Sequence, residues 1–392
     1  MRPLLLTPAL LACVITGVAC GPGRAATVST PEALLAALRE APGGSTIYLS
    51  PGDYEGVTIS DAHFAAPVTI TSADPSRKAV LTGLKVSNSS GLTFSTLELA
   101  ANGPGGPVDP HFAFRFDNVK DVRFRGLDVH GEPEAEPSTQ TNGFDVARSQ
   151  NVSIEHCRFH ALSAALNFND DVGVVVAHNG FSRLDKGGVE MGGSSDVTIA
   201  DNDFTDFHVS RSTHPDAIQI FTQGSKASAR DIKVTGNLFY RGAGNPVQGV
   251  FVQDEVGNLP FINVTIRDNA IIGGMWNSIY LRHATGAIDV EDNIVVSWAG
   301  LDMEGTGNAL ALKTSPTTTN FRAWIWLRGD FTGATITEKG NRAQAYPAAI
   351  GGSQGIPGRN AVAADAGDGG AKILREWLAS HPDRELFPSG AG

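Results

Sequence analysis

Val197 to Asn202 reads VTIADN, and its pattern, apolar-x-apolar-x-x-Asn, returns at VVVAHN (174–179), IKVTGN (232–237), VTIRDN (264–269) and IDVEDN (288–293). VSIEHC (152–157) has the same form with Cys157 in the last place. The closing residues Cys157, Asn179, Asn202, Asn237, Asn269 and Asn293 are 22, 23, 35, 32 and 24 residues apart. A second series falls between them: GFDVA (143), ALNFN (165), GVEMG (188), AIQIF (217), GVFVQ (249), SIYLR (278) and ALALK (309). Each segment alternates apolar and polar residues, the period of a strand with one buried face.

A unit of 22 to 24 residues with two or three short strands and Gly or Asn at its corners has the size of one coil of a right-handed parallel β-helix. The sequence therefore predicts an all-β, single-domain solenoid over residues 26–345. The corner asparagines are expected to take the left-handed conformation of a tight bend and to hydrogen-bond from coil to coil. A leucine-rich repeat has a similar period, but its Leu-x-x-Leu-x-Leu pattern is absent.

The open ends of a solenoid need covering. Thr30 suits a helix N-cap and Pro31 the first helical position, ahead of an apolar stripe, Gly43-Gly44 and a first strand. At the other end, GAKILREWLASHPD (370–383) predicts a short amphipathic helix within an Ala/Gly/Pro-rich tail over 346–392. DAGDGG just before it lacks calcium-loop spacing and reads as linker.

Residues 1–25 combine Arg2, an apolar run from Leu4 to Cys20 and small residues up to Ala25, the pattern of an export signal. The mature protein is expected in the periplasm or outside the cell, as a monomer. LLAC (10–13) and GVAC (17–20) resemble a lipoprotein box, which leaves a lipid anchor open. No later segment is apolar enough to span a bilayer. Cys157 is the one cysteine beyond the signal, so packing and not a disulfide must hold the fold. The formal charge of −11, lower by two once Arg2 and Arg24 leave with the signal, argues against a nucleic-acid partner. A local basic groove for an anionic polymer stays compatible with it.

Departures from the repeat point to loops, where function sits. From corner to next strand the usual gap is 9 to 10 residues, but it is 16 from Asn202 to Ile218, 13 from Asn237 to Val250 and 17 from Asn293 to Leu310. From strand to next corner, Ile218 to Asn237 and Val250 to Asn269 each take 19 residues where 13 or 14 is usual. A cleft walled by loops around the strands at 217 and 249 follows.

Its floor would be the outward positions of the second series: Asp145, Asn167, Glu190, Gln219, Phe251 and Tyr280 in one column, and Asn169, Phe221, Gln253, Arg282 and Lys313 in the next. Neighbours in a column are about 4.8 Å apart. Amides, carboxylates and aromatic faces together suit sugar binding, with Asn167, Asn169, Gln219, Gln253, Phe251, Arg211 and Lys313 as candidate contacts; an ordinary solvated sheet face is the alternative. HPDAIQI (214–220) enters the central strand from the longest lead-in loop. Pro215 suits a strand edge, and Asp216 either caps a turn or orients His214.

From about Thr27 to Ala345 the repeat and the N-terminal cap, down to PGDY (51–54), resemble the right-handed parallel β-helix superfamily of pectate, alginate and chondroitin lyases and alginate C5-epimerases. HPDAIQI is similar to motifs in uncharacterised members. The epimerases' Asp-Pro-His-Asp motif is absent, since DPH at 109–111 comes too early and lacks its final Asp. The calcium constellation and Lys/Arg pair of the alginate lyases are absent from their usual context. The resemblance thus implies the fold more sharply than the activity.

What it implies is action on a uronate-containing acidic polysaccharide by abstraction of the C5 proton. Three roles are needed: the C5 carboxylate neutralised, a base, and an acid. Arg282, Arg211, Lys313 or a Ca2+ ion held by Asp145, Glu190 or Asp216 would neutralise; His214 would be the base, with Asp216 beside it; Tyr280 or Lys186 would be the acid. Two other readings stay open: a β-helix hydrolase using paired carboxylates such as Glu190 and Asp216, and a binding-only or adhesin solenoid.

Overall fold

The computed structural model describes residues 26–384 apart from 102–111, 133–134, 137–138, 211–214, 276, 297–300, 305–310, 315–322 and 344–369, with 301–304 and 311–314 described as backbone only. Each coil contributes three strands. In one coil these are Asn142–Ala147, Gln150–Glu155 and Arg158–His160. Each pairs in parallel with its counterpart a coil later: Phe144 with Leu166, Val152 with Val174, Phe159 with Phe181. Three parallel sheets result, called first, second and third in chain order within a coil.

The register repeats because the sequence repeats. Val189, Ile218, Val250 and Ile279 are successive partners in the first sheet, and Val197, Ile232, Val264 and Ile288 in the second. All are buried. In the third sheet Phe159, Phe181, Phe204 and Phe239 stack face to face with centroids 5.2, 4.6 and 4.8 Å apart. That matches the spacing of strands, about 4.8 Å, so each coil offers its ring to the next.

The corner after the second sheet carries the asparagines, and they form the expected coil-to-coil ladder. Asn202 Nδ2 donates to Asn237 Oδ1 (2.9 Å), Asn237 Nδ2 to Asn269 Oδ1 (3.0 Å) and Asn269 Nδ2 to Asn293 Oδ1 (2.9 Å). Their conformation differs from expectation: the left-handed residue is the one before, His156, His178, Asp201, Gly236, Asp268 or Asp292, with φ between 53° and 64°. The bend turns each Asn inward, where burial makes its amide satisfy backbone groups that would otherwise be orphaned. The same corner runs further toward the N-terminus than the asparagines do. Thr96 and Gly126 also have positive φ, and the buried Leu97 and Leu127 follow them.

The first coils are joined by Leu84–Ser95 and Phe112–Arg125, which run unbroken through the first and second sheets. At the N-terminal end, helix Pro31–Glu40 buries Leu34 and Leu38, and the Thr30 hydroxyl caps it by accepting from Ala33 N at 3.2 Å. A second helix, Ala371–Ala379, lays Ile373 and Trp377 on Leu238, Ala270, Ile272, Ile294 and Val296 along the third sheet. No helix among the described residues is long and apolar enough to cross a membrane.

One expected strand is misplaced by the sequence reading. Ala311–Thr314, which holds Lys313, pairs antiparallel with Leu301–Glu304, opposite Asp302, and does not join the first sheet. The strand that follows Asn277–Arg282 in that sheet is Trp324–Arg328. The insertion after Asn293 is long enough to make its own strand pair before the coil closes. Lys313 is therefore not a column neighbour of Arg282; Arg328 is.

Candidate functional site

The outward column of the first sheet can now be read by register: Lys85, Arg115, Asp145, Asn167, Glu190, Gln219, Phe251, Tyr280 and Trp326, each the partner of the next. It runs from cations through carboxylates and amides to aromatic rings. Arg115 reaches Asp145 at 3.2 Å, and Asn167 Nδ2 donates to Asp145 Oδ1 at 2.8 Å. Asp145 and Glu190 are 8% and 9% exposed. Both carboxylates are thus walled by protein, with one edge toward solvent.

The centre of the column is the pair Lys186 and Glu190, with Nζ 3.0 Å from Oε1 and 3.1 Å from Oε2. Strand alternation alone would not join them. Lys186 sits on the corner before strand Gly187–Gly192 and reaches back over Gly187, where a Cβ would lie 2.7 Å from Glu190 Oε1. Glycine leaves the room that the ion pair fills. The register partner of Gly187 is Asp216, buried at 2% exposure, whose amide donates to Lys186 O at 3.2 Å. Lys186, Glu190 and Asp216 therefore belong to two adjacent coils.

The lead-in loop lies against this centre. His208 N donates to Leu184 O (2.9 Å), Ser210 N to Asp185 Oδ1 (2.5 Å) and Val209 N to Asn245 Oδ1 (2.9 Å). His208 went unnoticed in the sequence; partial burial and then Arg183 hold its pKa below the ordinary value, so the ring is a neutral base near neutrality. Arg211 and His214 lie outside the described residues.

At the other end of the first-sheet strands, the fully buried Asp254 fixes the chain after Gln253 by accepting from Gly257 N, Leu259 N and the Thr222 hydroxyl. Burial pushes its pKa up, but those hydrogen bonds and His283 outweigh it, leaving the group below the ordinary carboxylate range. Just after strand Ala164–Asn169, Asp171 behaves oppositely. It accepts from Ser149 N and Asn169 N, yet burial prevails and pushes it up to about 7.

Not every expected residue joins the centre. Tyr280 is three coils from Glu190, about 14 Å, and is 4% exposed, stacked on Phe251 at 4.6 Å. Arg282 shares its strand, in register with Gln253. Asn169 and Phe221 flank Gly192 in the second column. For Ca2+ the described carboxylates fit poorly: Asp145 and Glu190 each already face a protein cation, and no three acidic, His or Cys side chains among the described residues are grouped to hold a metal.

Residues 43–204 and 111–310 match the family described as the right handed beta helix region. No curated protein matches the chain. Among solved structures, the chain is similar to the A-module of a mannuronan C-5 epimerase from Azotobacter vinelandii, at 14% identity over 80% of this chain and 88% of that one, TM-score 0.48. It is similar to an alginate lyase from Paenibacillus sp. (13%, 81% and 98%, 0.47) and to PfbA, a surface adhesin of Streptococcus pneumoniae (12%, 80% and 85%, 0.45).

Proposed function

The chain belongs to the right-handed β-helix family, and on that scaffold we propose that it is an exported protein acting on a uronate-containing polysaccharide, as a lyase or C5-epimerase. The observation that carries the reading is the Lys186–Glu190 pair beside Asp216, at the centre of a column of polar residues and under the anchored lead-in loop. A sugar chain lying along the column meets carboxylates and amides from Asp145 to Gln219 and aromatic rings from Phe251 to Trp326.

In the reaction His214 takes the C5 proton, with Asp216 orienting the ring, and Arg211 neutralises the C5 carboxylate so that the carbanion-like charge is stabilised. In elimination the C5 electron pair forms the C4–C5 double bond, the C4–O4 bond breaks, and Lys186 gives its proton to O4. In epimerisation His214 keeps the abstracted proton and Lys186 gives its own proton to C5 from the opposite face. Glu190 holds the Lys186 ammonium in place through the ion pair.

A second reading has its own support. Glu190 and Asp216 stand on adjacent coils, near the separation of about 5 to 10 Å that paired-carboxylate glycosidases use. A proton NMR time course on polygalacturonate, alginate and neutral glycans, with Ca2+ and with chelator, separates these. Unsaturated uronate signals establish a lyase, changed anomeric ratios without cleavage an epimerase, and new reducing ends alone a hydrolase. Binding with no product leaves a binding solenoid and defeats the proposal. Product formation by Glu190→Gln at the wild-type rate would also defeat it.

A further inference from the structure

At its C-terminal end the groove changes character. Arg282 and Arg328 are register partners, so their strands place them about 4.8 Å apart. Like charges directly opposite one another in a sheet repel. Among the described residues neither forms an ion pair with a carboxylate. The acids on the flanking corners are engaged elsewhere: Asp254 with Gly257, Leu259 and Thr222, and Asp330 with the amide and hydroxyl of Thr332.

The arginines have an aromatic backing instead. The Arg328 guanidinium carbon lies 5.0 Å from the Trp326 ring centroid, Trp326 meets Tyr280 edge-on at 5.5 Å, and Tyr280 stacks on Phe251 at 4.6 Å. Trp324 is tied down through Nε1 to Asn277 Oδ1 at 2.9 Å. A guanidinium lying on an indole keeps its N–H edge available, and that edge matches a carboxylate in bidentate geometry. Gln253, the partner of Arg282, extends the row with an amide.

We propose that Arg282, Arg328 and Gln253 form a second, non-catalytic subsite that binds the carboxylate of a sugar acid two to four coils beyond Glu190, about 10 to 19 Å along the groove. Two adjacent cations without counter-ions among the described residues are stabilised when an anion bridges them. The inference rests on the groove being a polysaccharide site and adds what that polysaccharide must carry at a distance from the reacting sugar. A chain of several sugars is then needed to fill both places.

The test is titration calorimetry of wild type, Arg282→Gln, Arg328→Gln and the double variant with polygalacturonate, alginate, dextran sulfate and a neutral glucan, at several salt concentrations. Arg328 is exposed and Arg282 half-buried, and circular dichroism checks that the variants fold. Each single substitution should weaken polyuronate binding about tenfold and flatten its salt dependence, leaving the neutral glucan unaffected. Polyuronate affinity unchanged in the double variant overturns the subsite, and so does equal loss for the neutral glucan. Loss confined to dextran sulfate overturns the carboxylate assignment. Wild type that binds polyuronate through these arginines but forms no product keeps the subsite and removes the lyase reading. Turnover and affinity untouched by the double substitution do the reverse.

Discussion

Gly187 shows how one missing side chain can make a site. Its added Cβ would press on Glu190 Oε1 at 2.7 Å, the end of a flexible side chain and not backbone. Gly187→Ala should therefore leave the melting temperature near that of wild type while swinging Glu190 away from Lys186. Because misplacement by about 1 Å can cost about 100-fold in rate, the expected result is a large loss of product formation in an otherwise stable protein. Asp171 makes a different prediction at the same scale. Its folded pKa, about 7, exceeds the unfolded value of 3.8, so the folded chain holds this proton more tightly. The stability it gives is complete below pH 3.8 and lost as pH rises through about 7. Melting temperatures measured from pH 4 to 7 should fall with rising pH in wild type, and Asp171→Asn, which cannot ionise, should flatten that slope.

Among the elements, the asparagine corner carries a stability that strand pairing alone does not supply. Asn237 Oδ1 accepts from the amide and side chain of Asn202, and its Nδ2 donates to Ile199 O and Asn269 Oδ1. Asn237→Ala strips partners from buried groups on the two neighbouring coils, a cost of about 3 kcal/mol at least, readable as a lowered urea midpoint. Asn341, at the end of the ladder and only part-buried, should cost less. This corner is also what made the fold legible. Wherever Asn or Cys fills it the coil announces itself, and the alternation then assigns outward residues correctly, from Asp145 to Tyr280. Where Leu97 and Leu127 fill it, the coil looks like any apolar strand, and so Lys85 and Arg115 escaped notice. Lys313 misled because ALALK alternates as well as WIWLR does; only pairing across the sheet distinguishes them. The Lys186–Glu190 contact needs a corner geometry that no strand period encodes.

Over the whole molecule, the three sheets divide the work. The first carries the column proposed to bind sugar, the second and its corners hold the coils in register, and the third is covered by the helix Ala371–Ala379. That cover is anchored beyond the helix as well: Arg384 Nε donates to Asp203 Oδ1 at 3.0 Å and its Nη2 to Asn202 O at 2.7 Å, while the guanidinium packs 4.9 Å from the Trp377 ring centroid. His381 Nε2 adds a contact to Asp268 Oδ2 at 2.9 Å. All of these partners belong to the third sheet and the asparagine corner, away from the column that holds Glu190 and Arg328. A chain ending at Gly369 would uncover Leu238, Ala270, Ile272, Ile294 and Val296 as one apolar strip. Loss of a buried side chain such as Ile373 alone removes about 1.5 to 3 kcal/mol, and a strip of this kind promotes association. The truncated protein should melt earlier, bind a hydrophobic dye and self-associate in sedimentation, yet hold polyuronate with wild-type affinity per folded molecule. Loss of that affinity at temperatures where the truncated chain is still folded would show that the cover and the groove are coupled, and would refute the division of work among the sheets.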